Sequence, residues 1–168
     1  MSNSRNTNTV IRVTPTLSTD AYGDNEVLFD ATEIPHAVLG DNGCSKLLSL
    51  TILNQNVDVL DIDIVFMQVQ TNLGTINAAI DISDSDAEAA KILATCKVDG
   101  SACKTGLNAQ IIYTIGATSM SANVVSGLFP ILLQANSGST SVYFTAILRD
   151  ATPTFAADDL DFIFHIEK

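Results

Sequence analysis

The sequence contains no Trp and only eight Lys and Arg against 19 Asp and Glu, for a formal net charge of −11. That imbalance disfavours nucleic acid, because phosphate would be repelled and no Lys/Arg cluster offsets the repulsion. An anionic membrane surface is disfavoured on the same ground. Charged residues make up 16% of the chain, against about 25% in ordinary soluble domains, so much of the surface lacks the usual Lys/Glu decoration. The shortage is concentrated: from Thr105 to Leu148 there is no Asp, Glu, Lys, Arg or His. Asn108, Gln110, Asn123, Gln134 and Asn136 interrupt this block before about 20 apolar residues accumulate, so it does not read as a membrane span. It reads instead as strands whose outward side chains are Ser, Thr, Asn and Gln, a surface that is easily desolvated and suited to self-association.

Cysteine is scarce as well. Cys44, Cys96 and Cys103 are too few and odd in number for a disulfide framework. Asp99-Gly100 sits where a two-residue hairpin turn would pair Val98 with Ser101 and Cys96 with Cys103. The spacing permits a bridge, but reduced thiols on one face are the preferred reading, since residues 1–9 are polar and lack the apolar core of a secretory signal. The protein is expected to be made in a cytoplasm.

At 168 residues the chain fits one domain: a flexible N-terminal arm over 1–9 and a single β-sandwich domain over 10–168. Period-two alternation runs through it. Leu60, Ile62, Ile64 and Phe66 share one parity, then Val65, Met67 and Val69 take over, which predicts a β-bulge or sheet corner near Phe66. Val142, Phe144, Ala146 and Leu148 form one apolar face, and Leu160, Phe162, Phe164 and Ile166 another. Further strands are expected over 10–14, 26–30, 46–54, 94–98, 110–115 and 128–134. Pro130 in the last of these implies an edge position, a bulge or a late start. One short helix is expected over 83–93, with Ser83 and Asp86 as a capping-box-like pair and Lys91 near its end. Eight or nine strands without helical crossovers give an all-β fold, an antiparallel β-sandwich of jelly-roll type.

No residue of the sequence reads as catalytic, cofactor-binding or metal-ligating. An EF-hand-like loop beginning at Asp84 fails, because its sixth position is Ala89 rather than Gly and its twelfth is Thr95 rather than Glu. Asp81, Asp84, Asp86 and Glu88 are better explained by helix capping, and Asp58, Asp61 and Asp63 by a solvated strand face. His36 and His165 have no partner at metal-ligand spacing. Gly-x-Ser-x-Gly, phosphate-loop and dinucleotide motifs are all missing. Sugar binding competes, with Tyr22, Tyr113 and Tyr143 as the available aromatics, but a packed ring with its hydroxyl reaching the surface is the preferred reading of each. Tyr113, Tyr143 and Thr145 are the candidate interface residues, Thr145 lying opposite in parity to the apolar set of its strand.

The segments Arg12-Val-Thr-Pro-Thr-Leu17, Glu26-Val-Leu-Phe-Asp30 with Glu33-Ile-Pro35, Asn72-Leu-Gly-Thr-Ile-Asn77, and Ser137-Gly-Ser-Thr-Ser-Val-Tyr-Phe-Thr-Ala146 with Thr152-Pro-Thr154 resemble a family of small structural proteins of tailed bacteriophages, notably aquatic ones. The similarity spans nearly the whole chain after the arm. It implies a virion-associated, non-enzymatic protein of decoration type, with no family catalytic residues to carry over. The expected function is a capsid decoration, or cement, protein that binds and stabilises the major capsid shell. It would self-associate, a trimer being one such state, and sit on the capsid surface. The alternative is a tail or head-fibre component with host-receptor or glycan binding.

Overall fold

The computed structural model describes residues 8–108, 110–116, 129–149 and 152–168. Ten strands occur among them: β1 (Asn8–Val13), β2 (Val27–Ile34), β3 (Cys44–Asn54), β4 (Ile62–Met67), β5 (Ile92–Val98), β6 (Lys104–Leu107), β7 (Gln110–Gly116), β8 (Ile131–Gln134), β9 (Val142–Leu148) and β10 (Leu160–Glu167). Their antiparallel pairs are nested, β1 with β10, β2 with β9, β3 with β7 and β4 with β5. Two further pairs, β10 with β3 and β9 with β4, join these ribbons. The result is one sheet in the order β1-β10-β3-β7-β6 and a second in the order β2-β9-β4-β5. This is the jelly-roll strand order, an antiparallel ribbon rolled into two packed sheets. Strand β6 extends one edge, and β8 pairs with residues 44–47 of the long β3 beside β7. Strand β8 starts after Pro130, the late-start option, so the missing N–H is never asked to serve the ladder.

Phenylalanines close the sandwich. Phe162 and Phe164 of β10 project from one sheet, and Phe29, Phe66 and Phe144 from the other. Phe144 meets Phe164 edge-on at 4.9 Å and Phe162 at 5.1 Å, while Phe29 meets Phe144 at 5.2 Å. These are the T-shaped geometries that opposite ring edges and faces favour.

A second, smaller core lies on the outer face of the four-stranded sheet. Val65 and Met67 of β4, Ile147 of β9, and Val27 and Ala31 of β2 are buried there with Leu73 and Ala90. Residues 68–91, the excursion between β4 and β5, supply the cover and contain helix α1 (Asp84–Ala90). Strand β4 is therefore buried on both faces, which is why its apolar parity switches at the expected place; the β4–β5 register shifts between Phe66 and Met67. Ser83 caps α1 as expected, its hydroxyl accepting from the Asp86 N–H.

Side chains of the excursion repair an irregular seam. The β2–β9 register slips between Val27 and Phe29 and again between Phe29 and Thr32, interrupting the ladder around Ala31. Asn72 Oδ1 accepts from the Ala31 N–H at 2.8 Å, and Gln70 Nε2 donates to the Ala31 carbonyl at 2.8 Å. Both backbone groups thus find partners without a strand.

Three expectations are corrected. A second, one-turn helix α2 (Gly100–Cys103) is present where a hairpin was expected at Asp99-Gly100. Asp99 acts as its cap, accepting from the Ala102 N–H, and Gly100 is needed for close approach: a Cβ there would lie 2.3 Å from the Leu60 carbonyl oxygen. Cys96 pairs across to Ile64 rather than to Cys103, while the preferred reading of reduced thiols holds, all three cysteines being free. Strand β1 begins at Asn8, inside the span expected to be a flexible arm, whose remaining residues 1–7 lie outside the described ones.

The seam yields a test. Asn72→Ala leaves the Ala31 N–H without a partner and should lower unfolding free energy by about 1–3 kcal/mol in urea denaturation. An unchanged midpoint would show that this amide does not hold the excursion to β2.

Candidate functional site

The strands of the six-stranded sheet send alternate residues to the Phe core and the others outward. The outward set forms rows fixed by register. Arg12, Ile163, Thr51 and Thr114 face one another across β1, β10, β3 and β7. Asp161, Leu53, Ile112 and Thr105 form the next row across β10, β3, β7 and β6. The middle of this face, Ile163, Thr51, Leu53, Ile112 and Thr114, is half-buried to exposed and carries no charge. Charges sit towards its margins in pairs: Arg12 Nη1 donates to Asp161 Oδ2 at 3.0 Å, and Lys46 Nζ approaches Glu167 Oε2 at 3.3 Å. Val10 and Leu132, 63% and 62% exposed, add large apolar side chains on β1 and β8. An uncharged middle with a polar rim is the composition of a protein-docking surface.

Of the three candidate interface residues, only Tyr143 reaches the surface, half-buried beside the second core. Thr145 is 0% exposed, and its hydroxyl donates to the Phe29 carbonyl at 2.6 Å. Its parity does point away from the Phe core, but the excursion covers that face. Tyr113 is 1% exposed because its ring lies on core parity, and its hydroxyl accepts from the Leu60 N–H at 3.0 Å and donates to the Asp58 carbonyl at 3.3 Å. In this fold neither Tyr113 nor Thr145 can meet a partner. Tyr22 is likewise buried, its hydroxyl donating to the Leu28 carbonyl.

The acidic candidates serve the fold. Asp61 accepts from the Gly100 N–H at 2.8 Å, and Asp63 accepts from Arg149 Nε at 2.9 Å. They line an open pocket of about 270 Å³ with Lys97, Asp99 and Arg149. Among the described residues no three His, Cys, Asp or Glu side chains converge where a metal could sit. His36 lies in a left-handed turn beside Thr140, and His165 lies on the outward face between Val10 and Ser49, so the two are not brought together.

The sequence reading placed its candidate contacts at Tyr113 on β7 and at Tyr143 and Thr145 on β9, and so did not single out the outward face of the six-stranded sheet. The available signal lay elsewhere: Thr51, Leu53, Ile112 and Ile163 are uncharged residues on the outward parity of strands whose other parity is apolar. No family model, curated protein or solved structure matches this chain.

The buried thiols give the protein an alkaline limit. Burial, with Cys103 and Asp63 nearby, pushes Cys96 up to about 12, and burial beside Asp99 pushes Cys103 to about 11, both from an ordinary value of 9.0. Burial raises Tyr22 and Tyr113 also. The folded state therefore holds these protons more tightly than the unfolded chain. The stability this confers is intact below the ordinary thiol value of 9.0 and is lost as pH climbs towards about 12. Melting temperature by circular dichroism should fall steadily above about pH 9, and Cys96→Ala should flatten the slope; parallel profiles for both proteins would contradict the assignment.

The burial of Thr145 sets a second expectation. Thr145→Lys places a charge beneath the excursion with no partner and should destabilise the fold by about 3–5 kcal/mol, read from the urea midpoint. A folded variant of unchanged midpoint would place Thr145 at a surface after all.

Proposed function

We propose that this chain is a non-enzymatic structural protein of a tailed-bacteriophage virion, a capsid decoration protein that docks on the major capsid shell and associates with copies of itself. The observation that carries the reading is the outward face of the six-stranded sheet, with an uncharged middle at Ile163, Thr51, Leu53, Ile112 and Thr114 and its acids paired at the margin. Four of the eight large hydrophobic residues exposed among the described residues, Val10, Leu48, Leu107 and Leu132, belong to strands of this sheet and add apolar contact area to it. The resemblance of segments such as Asn72-Leu-Gly-Thr-Ile-Asn77 to small phage structural proteins supports the choice of a virion as the setting. A repetitive shell is the partner that a broad, weakly charged docking face suits, because many identical contacts compensate for modest affinity in each.

Sedimentation of phage heads that lack the protein tests the reading. The wild-type chain should pellet with heads, and Thr51→Lys combined with Ile163→Lys should weaken this by at least about tenfold while the β signature in circular dichroism persists. Wild-type protein that stays in the supernatant with heads but is retained by tail assemblies would replace the capsid reading with the fibre one.

A further inference from the structure

We propose that the groove between the end of β4 and the β8–β9 connection is a binding site for a neutral sugar ring. Gln68, Val69, Gln70, Asn136, Ser139 and Tyr143 line a cavity of about 250 Å³. This is slightly smaller than the ~300–1,000 Å³ of drug-sized sites and suits a single hexose. None of the lining residues is charged.

Each amide is tied down at one end. Gln68 Nε2 donates to Gln134 Oε1 at 3.3 Å, Gln70 Nε2 donates to the Ala31 carbonyl at 2.8 Å, and Asn136 Oδ1 accepts from Lys91 Nζ at 2.8 Å. The ends left for a ligand are Oε1 of Gln68, Oε1 of Gln70 and Nδ2 of Asn136. Among the described residues the Tyr143 hydroxyl has no hydrogen-bond partner, and its ring is half-buried. The groove thus offers two fixed acceptors, one fixed donor and a hydroxyl that can do either. Neighbouring hydroxyls of a sugar, each both donor and acceptor, complement such a set, and the Tyr143 ring supplies a flat apolar face for the C–H side of the pyranose. Because the amides are already held, little ordering cost attends binding.

Other ligand classes fit less well. An anion would meet a single cation, Lys91, whose bond to the neutral Asn136 amide leaves its charge intact, but the net charge of −11 opposes its approach. An apolar ligand would strip water from the amide ends and return no hydrogen bond. The site uses none of the side chains of the proposed capsid-docking face, so either proposal can fail without the other.

Titration of the ¹⁵N-labelled full chain with methyl glucoside, methyl galactoside and methyl mannoside decides the matter. At least one should shift the side-chain amide signals of Gln68, Gln70 and Asn136 at concentrations in the ~1 mM range. Tyr143→Ala should weaken that binding at least about fivefold. Tyr143 also packs on the second core, so Asn136→Ala, changed at the surface, provides an independent loss with the fold intact. Absence of shifts with all three sugars up to about 50 mM, far above weak specific affinities, overturns the proposal. Shifts that survive unchanged in both variants would do the same.

Discussion

The structure depends on the seam between β2 and β9, where the ladder slips twice and backbone groups must be satisfied by side chains. Gln70 and Asn72 complete the bonding of Ala31, and Thr145 completes that of Phe29. An unpaired buried amide costs about 1–3 kcal/mol, so these bonds fix where the excursion 68–91 must lie. With the excursion fixed, the outer face of the four-stranded sheet becomes a second core, and α1 is carried over it. Two consequences reach the surface. The broad open sheet face is left to the six-stranded sheet, and Gln68, Gln70 and Tyr143 are gathered into one groove at the margin of the cover.

Strand parity was legible because it reports which side chains share a face. The antiparallel sandwich, the switch near Phe66 and the cap at Ser83 were expected from strand pattern and capping rules, and each is present, whereas the strand order emerges only in the fold. Parity does not report what covers a face. Thr145 lies opposite Phe144 as read, yet it is buried, because the cover comes from residues more than 50 positions away in sequence. The hairpin expected at Asp99-Gly100 failed for a related reason. Asp and Gly there satisfy a cap and a tight approach to Leu60 rather than a turn, and only the tertiary neighbour distinguishes those uses. Strand β6 escaped notice because four exposed residues containing Gly106 carry no alternation.

The uncharged block proves to have two physical origins. In β9 charge is missing because both faces of the strand are buried, one against the Phe core and the other beneath the excursion. In β6, β7 and β8 the same absence leaves Thr105, Ile112, Thr114 and Leu132 outward on the sheet. Composition cannot separate these cases, since a strand buried on both faces and a strand with an open, uncharged outer face look alike in sequence. Residues 117–128 of the block lie outside the described residues.

Charge distribution then bears on orientation. With 19 acidic residues and eight basic ones, two copies, or one copy and an acidic neighbour, repel through most approaches. On the six-stranded face the acids Asp161 and Glu167 are each matched by a base, Arg12 and Lys46. These pairs add little stability, being partly exposed. Their effect is to reduce the local field, so that the apolar middle can be approached without a like-charge penalty. Specificity of this kind comes from making the wrong encounters unfavourable more than from making the right one strong. For the proposed docking, added salt, which screens the repulsion elsewhere on the molecule, would relax the choice of face without strengthening the contact at its centre.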